Sequence, residues 1–256
     1  MKINWKKLIN PIIVVVLALV FFVATSSFNY LTQDKNYTKW TSPDETANYF
    51  FTKQFGEKQV LSYFDPAAVI GDNLVMPRSL RSDFGWVKPV SFLGIIISYG
   101  TIASWLGIDV IPFLTPFFAA LGIIFFYFLV SYIFNNKRIG LISSFLLASF
   151  PVYIYYSVRS MFHNVLFIVF LIIAAYFLAI ALGHKKRKGI WQDLKNKFIS
   201  FKLEKTRTWQ MLWAFLAGIF AGLAVITRTS ELLWLAPCAG IIWIFYARRL
   251  GLIKFI

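Results

Sequence analysis

Cysteine and histidine are almost absent from this chain. Its 256 residues include one cysteine, Cys238, and two histidines, His163 and His184. A single cysteine excludes an intramolecular disulfide, and these three residues do not have the spacing of a zinc site. We therefore expect no cofactor and no metal site, with a divalent cation left as an alternative that the sequence does not support.

Acidic residues are also scarce, since 11 Asp and Glu face 26 Lys and Arg, for a net charge of +15. The excess lies in four short segments, Lys2–Lys7, Lys137–Arg138, 184–207 and Arg248–Lys254. Each segment adjoins a long apolar run, which is the distribution that the positive-inside rule describes. The basic charge therefore indicates membrane topology and not nucleic-acid binding, and we expect no nucleic-acid partner.

Long apolar runs are abundant, because 59% of the residues are hydrophobic and the mean hydropathy is +0.67. A helix of roughly 20 apolar residues crosses a ~30 Å hydrocarbon layer. The runs predict an all-α integral membrane protein, a single membrane domain over 1–256 with about six spans. The predicted spans are Leu8–Phe28, Pro112–Phe134, Ile139–Tyr156, Phe162–Leu182, Trp209–Ile226 and Leu232–Tyr246.

The first run is too long for a typical signal peptide and shows no cleavage site, so residues 8–28 are predicted to remain as a span. Its basic end places the N-terminus in the cytoplasm. Residues 29–106 then form an outer loop with juxtamembrane helices, and 183–208 form a basic cytosolic loop. Pro89–Leu106 is predicted to lie at the outer interface. If it crossed the membrane, Lys137 and Arg138 would lie on the side opposite the basic N-terminus, against the positive-inside rule.

Ser42-Pro43-Asp44-Glu45 has the pattern of a helix start within the outer loop. Ser42 can cap the helix, Pro43 suits its first position, and Glu45 completes a capping box. Ala47, Phe50, Phe51 and Phe55 then follow at helical spacing. Acidic residues in a first turn also complement the helix dipole without any catalytic role. The pattern alone therefore fits a structural role and a catalytic role for Asp44 and Glu45.

Several short motifs resemble those of the GT-C type glycosyltransferases, in particular the protein O-mannosyltransferases and the lipid A aminoarabinose transferases. They are Asp44-Glu45 followed by Tyr49, then Trp86-Val87-Lys88-Pro89, Arg159 before a span, and Gly222-Leu223-Ala224-Val225-Ile226-Thr227-Arg228. The resemblance implies a GT-C-like N-terminal module that takes a mannose-like sugar from a polyprenyl-phosphate donor. The acceptor would be a protein or a lipid-linked glycan on the extracytoplasmic face of the cell membrane.

The resemblance also implies roles for individual residues. Asp44 would be the general base of an inverting transfer, and Glu45 would orient Asp44 or the acceptor. Lys88 and Arg228 would bind the lipid phosphate, for which the arginine fork is well suited. Each of these two residues also has a structural alternative. Lys88 would be an interfacial lysine whose ammonium reaches the water, and Arg228 would form an i,i+3 helix pair with Glu231.

The turn before the fourth predicted span contains Arg159, His163 and Asn164, which we predict to bind substrate. Family members commonly place an Asp five residues after the Arg, whereas this chain has Asn164. An amide can hydrogen-bond a sugar hydroxyl, but it cannot act as a second base or as a strong cation ligand. This departure argues against a metal-dependent mechanism.

Two other functions remain open. A non-catalytic membrane protein, either a transporter or an inactive partner subunit, is disfavoured because the spans carry almost no charge. A lipid-binding scaffold could use the basic loop with Trp191 and Phe198. GT-C proteins usually have more spans than this chain, so we expect it to be an N-terminal part that works with a C-terminal half or partner subunit. No Gly-rich nucleotide loop is visible, which disfavours a nucleotide-sugar donor.

Overall fold

The computed structural model describes residues 5–31, 42–74, 78–90, 92–182 and 203–250. These residues are mostly α-helical, which confirms the predicted all-α integral membrane protein. The helices are α1 (Trp5–Leu31), α2 (Pro43–Lys58), α3 (Pro66–Ile70), α4 (Leu93–Leu106), α5 (Ile111–Phe134), α6 (Lys137–Ser149), α7 (Pro151–Val158), α8 (His163–Leu182), α9 (Leu203–Thr227) and α10 (Leu232–Leu250). Short 3-10 helices at Ile108–Val110 and Thr229–Glu231 precede α5 and α10.

Four helices of the described residues are long and apolar enough to cross a membrane. They are Ile9–Leu31, Ile108–Phe134, His163–Leu182 and Trp209–Thr227. The helices α6 and α7 add a fifth span if the pair is counted as one. The chain is therefore a multi-pass membrane protein, but the predicted count of about six is not confirmed, because the apolar helix Thr229–Ile244 is shorter than a span.

The predicted span Ile139–Tyr156 is broken, since α6 and α7 meet at an angle of 57°. Phe150 separates them with an extended backbone, φ −70° and ψ 119°. Pro151 accounts for the break, because proline pushes the preceding residue out of the helical region and cannot donate an N–H to the helix before it. Arg159 follows α7 directly and contacts Glu45 of α2.

Residues 63–89 contain a small antiparallel sheet that the sequence analysis did not predict. Its strands are β1 (Tyr63–Phe64), β2 (Leu80–Asp83) and β3 (Trp86–Pro89), in the order β1-β3-β2. Phe84 and Gly85 connect β2 to β3 with φ angles of 51° and 80°, as in the tight turns that suit the strand twist. The prediction of a helix over 89–106 is wrong at its start, because Pro89 is the last residue of β3 and the helix begins at Leu93.

The helix α4 has 14 residues and is about 21 Å long, too short for the ~30 Å hydrocarbon layer. It packs closely on α2, because Gly100 has no side chain. A Cβ at Gly100 would lie 2.7 Å from Phe55 and 3.1 Å from the carbonyl oxygen of Thr52. Its length agrees with the expectation that this segment does not cross, and its place at the outer interface stays a prediction.

Two apolar clusters hold the helices together. One joins α2, α4 and α8 through Phe51, Ile95, Tyr99 and Leu166. The other joins α1, α5, α7 and α8 through Val14, Ile123, Tyr153 and Val169. Residues 183–202 of the predicted basic loop, with Trp191 and Phe198, lie outside the described residues, so that loop and the orientation of the termini stay predictions.

Candidate functional site

Three polar segments meet at one end of the helix bundle. They are the start of α2 with Asp44 and Glu45, the turn between α7 and α8 with Arg159, and the turn between α9 and α10 with Arg228. Contacts between side chains connect these segments, although they lie far apart in the sequence. We call this region the polar end, and it contains six of the seven predicted site residues.

Glu45 and Arg159 form a buried ion pair. The Nε of Arg159 donates to both carboxylate oxygens of Glu45, at 3.0 and 3.1 Å, and its Nη2 also donates to Oε2. The Glu45 side chain is 1% exposed and that of Arg159 is 28% exposed. The hydrogen bond to Glu45 is the main cause that raises the pKa of Arg159 above its ordinary value. The charge of Glu45 is therefore balanced by Arg159, the partner that a buried carboxylate requires.

Aromatic groups hold the other sides of the Arg159 guanidinium. Its Nη1 donates to the hydroxyl of Tyr155 at 2.9 Å. Its Cζ lies 5.2 Å from the ring centroid of Phe162 and 5.6 Å from that of Tyr155. A cation over an aromatic face is attracted by the ring quadrupole. Arg159 is therefore fixed in place and acts as the structural link between α7 and α2.

Asp44 lies half-buried beside Glu45 in the first turn of α2. The hydroxyl of Ser79 donates to its Oδ1, an interaction that sequence reasoning missed because nothing in the sequence marks Ser79. The helix starts at Pro43 as predicted, with Ser42 as its N-cap residue. The predicted capping box is wrong, however. Ser42 makes no side-chain capping bond, and the Glu45 carboxylate pairs with Arg159 instead.

Arg228 occupies the turn between α9 and α10, and its side chain is 30% exposed. Its Nη2 lies 2.8 Å from Glu231 Oε1, and its Nη1 donates to Asn164 Oδ1 at 3.3 Å. Its Cζ lies 5.9 Å from the ring centroid of Phe167. The Nε atom is buried and has no hydrogen-bond partner among the described residues. Arg228 thus pairs with Glu231, as the structural alternative predicts, and phosphate binding by Arg228 stays a prediction.

His163 connects the three segments. Its ring stands edge-on to Phe92 with centroids 5.0 Å apart, and the next residue, Asn164, accepts a hydrogen bond from Arg228. Its Nδ1 is buried and, within the part of the chain that is described, has no hydrogen-bond partner. Two buried nitrogen atoms, on His163 and Arg228, therefore lie at the polar end without hydrogen-bond partners among the described residues.

Gly94 allows the start of α4 to reach the polar end. A Cβ at this position would lie 2.5 Å from the backbone nitrogen and Cα of Thr227, closer than nonbonded atoms can approach. The helix start carrying Phe92 therefore fits against the turn that holds Arg228. The sequence alone gave no sign of this contact, and the close approach explains why glycine is required there.

Lys88 is the predicted site residue that stays apart from this cluster. It lies on β3, its side chain is 51% exposed, and its Nζ lies 3.8 Å from Asp83 Oδ2. It stands opposite Arg81 in the register of β2 and β3. The described contacts join Lys88 to the hairpin and not to Asp44 or Arg228.

An apolar cavity of about 480 Å³ lies between α1 and α7 and reaches Arg159. Its lining includes Phe21, Thr25, Phe28, Ile154 and Val158. A sugar needs many hydrogen-bond partners, which this lining does not provide, so the cavity suits hydrocarbon. Among the described residues, no group of three or more His, Cys, Asp or Glu side chains could hold a metal ion.

The family model for dolichyl-phosphate-mannose-protein mannosyltransferases matches residues 100–194 of the chain. The matched range includes α5 to α8 and the turn with Arg159, His163 and Asn164. Comparisons with curated proteins and with solved structures give no match. The description of the matched family names a lipid-linked sugar donor and a transferase activity. Over residues 100–194 the chain is therefore similar to a GT-C type glycosyltransferase, which confirms the predicted resemblance. The motifs at 44–49, 86–89 and 222–228 lie outside the matched range.

Proposed function

We propose that the chain is a mannosyltransferase-like glycosyltransferase that moves a sugar from a polyprenyl-phosphate donor to an acceptor on the extracytoplasmic face. The observation that carries this proposal is the turn 159–164, which contacts the start of α2 through Arg159 and Glu45 and contacts Arg228 through Asn164. A transfer of this kind needs a base for the acceptor and a cation for the leaving phosphate within one site. The polar end has a carboxylate, Asp44, on α2 and a cation, Arg228, in the turn between α9 and α10.

The donor phosphate binds at Arg228. Glu231 and Asn164 hold the two Nη atoms, so the guanidinium is oriented while its buried Nε lacks a partner. A phosphate oxygen satisfies that donor, and Nδ1 of His163 provides a second hydrogen-bonding group beside it. The cation also stabilises the negative charge that develops on the phosphate as it leaves. Asn164 thus acts through Arg228, and His163 contacts the donor.

Lys88 is the second proposed phosphate ligand. Its ion pair with Asp83 is exposed, and exposed pairs contribute little free energy. Lys88 can therefore exchange Asp83 for a phosphate at small cost. This exchange distinguishes Lys88 from Arg159, whose guanidinium is held by the buried carboxylate of Glu45.

Asp44 is the general base. Its carboxylate takes the proton from an acceptor hydroxyl, and the hydroxyl oxygen attacks the anomeric carbon from the face opposite the phosphate. The bond between that carbon and the phosphate oxygen breaks, and polyprenyl phosphate leaves with the bonding electrons. A single displacement of this kind inverts the anomeric configuration. Glu45 acts through its pair with Arg159, which fixes the helix start that carries Asp44.

The partners proposed are the lipid-linked donor, membrane lipid, a protein or lipid-glycan acceptor, and a further membrane polypeptide that completes the acceptor site. The chain's own residues carry the proposed steps without a metal ion. Nucleic acid has no place in this function.

Donor binding tests the proposal. The full chain in lipid nanodiscs is titrated with polyprenyl-phosphate mannose as wild type, Arg228→Ala, Lys88→Ala and Arg81→Ala. Arg81 is the matched control, because it is an exposed cation on the neighbouring strand that also pairs with Asp83. We expect the Arg228 variant to weaken binding about tenfold or more, the Lys88 variant less, and the Arg81 variant not at all. Equal binding by wild type and Arg228→Ala would contradict the proposal.

A further inference from the structure

A buried polar cluster lies beneath the turn that carries Arg159. Its members are Asn29 at the end of α1, Tyr99 on α4, Thr115 on α5 and Ser160 in the turn, all of them buried. None of these residues belongs to the predicted site. Buried polar groups are costly unless they are hydrogen-bonded, so the partners within this cluster indicate what it does.

The cluster is organised around the carbonyl oxygen of Pro112. In a regular helix this oxygen would accept the N–H of residue 116, but Pro116 lies inside α5 and has no N–H. Two side chains take its place. The Nδ2 of Asn29 donates to the oxygen at 2.8 Å, and the Oγ of Ser160 donates to it at 2.9 Å.

Ser160 is held by both its side chain and its backbone. Asn29 Nδ2 also donates to Ser160 Oγ, and Thr115 Oγ1 donates to the Ser160 carbonyl oxygen. Because the only hydroxyl hydrogen of Thr115 is used there, Tyr99 is the donor in the 2.9 Å bond between Tyr99 OH and Thr115 Oγ1. Residues from α1, α4 and α5 therefore fix the peptide that directly follows Arg159.

We propose that Asn29 is a positioning residue for the transfer reaction, an inference that rests on the proposed function. Asn29 and Ser160 together satisfy the carbonyl that Pro116 leaves without a donor, and this interaction sets the turn. The turn sets Arg159, Arg159 holds Glu45, and Glu45 lies next to Asp44. The first membrane helix thereby determines the position of a base that lies on a different helix.

The first test does not depend on activity. Phenylglyoxal reacts with accessible guanidinium groups, and mass spectrometry follows the modification of Arg159, with Arg228 as internal reference because its exposure is similar. We expect Asn29→Ala to raise the rate at Arg159 about tenfold, as a lost buried hydrogen bond would, and to leave Arg228 unchanged. Thr25→Ala is the control, because among the described residues its hydroxyl donates to carbonyls of its own helix, α1.

Two further variants keep the test decisive. Ser160→Ala removes the other donor to the Pro112 carbonyl and should also raise the Arg159 rate, even if Asn29→Ala does not fold. Pro116→Ala restores a backbone N–H for that carbonyl, so in this background Asn29→Ala should have a much smaller effect. Unchanged Arg159 rates in both Asn29→Ala and Ser160→Ala would overturn the proposal, and an undiminished effect with Pro116→Ala would overturn the role of the carbonyl.

Kinetics separate positioning from binding. In Asn29→Ala we expect transfer at saturating donor to slow, while the Kd for polyprenyl-phosphate mannose stays at the wild-type value. Weaker donor binding with unchanged transfer would count against positioning. If wild type neither binds nor consumes the donor, the proposed function fails, whereas the modification rates still decide whether Asn29 fixes Arg159.

Discussion

Arg159 and Glu45 lie 114 residues apart in the sequence and form a buried ion pair through two nitrogens of one guanidinium. The pair joins the turn after a bent membrane helix to the first turn of a helix outside the spans. The pair therefore anchors the helix turn that carries Asp44, whose own carboxylate accepts a hydrogen bond from Ser79. The stability of this contact and its effect on the site can be measured separately.

Removing one partner of this pair should be strongly destabilising. Arg159→Ala leaves the Glu45 carboxylate buried without a counter-charge, which costs about 3–5 kcal/mol. Glu45→Gln should cost less, because an amide oxygen can still accept from Arg159. Thermal unfolding of the detergent-solubilised chain measures both. The control is Lys53→Ala, which breaks an exposed pair with Glu57 and should leave Tm nearly unchanged; an Arg159→Ala protein as stable as this control would refute the importance of the pair.

Gly94→Ala should damage both stability and donor binding. The added Cβ would clash with the backbone of Thr227, and overpacking of this kind costs about 1–3 kcal/mol. The displaced turn carries Arg228, so the Kd for polyprenyl-phosphate mannose should rise as Tm falls. Gly222→Ala is the matched control on α9, since a Cβ there meets nothing within 4 Å. Similar effects from the two variants would show that the close approach is unimportant.

Glu231→Gln should strengthen donor binding, the opposite sign to Arg228→Ala. Glu231 competes with a phosphate for the Arg228 guanidinium, at 2.8 Å. The amide removes this negative charge and keeps an acceptor for the indole N–H of Trp234. We expect the Kd to fall a few-fold at low salt, with a smaller difference at high salt. Glu57→Gln controls for the loss of one acidic charge, and weaker binding by Glu231→Gln would contradict this expectation by showing that the contact with which Glu231 orients Arg228 outweighs its competition with the phosphate.

The long apolar helices were predictable from the sequence, and the contacts between them were not. The predicted spans Pro112–Phe134 and Phe162–Leu182 each start within one residue of α5 and α8, because continuous apolar runs determine them. The break before Pro151 was missed, although the proline itself signals it. The strands at 63–89 have only two to four residues, too few to show an alternating pattern.

The sequence was sufficient to select the residues of the candidate site, but not to predict which of them contact each other. Local motifs selected Asp44, Glu45, Arg159 and Arg228 separately, but a single sequence carries no signal for which of them touch. Glu45 was assigned to a capping box because local patterns favour near neighbours, whereas its partner is distant Arg159. Asn29 was missed for a similar reason: a lone amide at the end of an apolar run gives no sign that a proline on another helix needs a donor.

The most direct test of the account is donor turnover by Asp44→Asn. Labelled polyprenyl-phosphate mannose is added to membranes containing the full chain, and the release of polyprenyl phosphate is measured together with the Kd for the donor. Asp72→Asn is the control, an exposed acid in the same segment whose positive φ of 49° suits asparagine. The account predicts that Asp44→Asn binds the donor as wild type does and loses about 10²–10⁴-fold in release. Release by Asp44→Asn at the wild-type rate would contradict the assignment of Asp44 as the base.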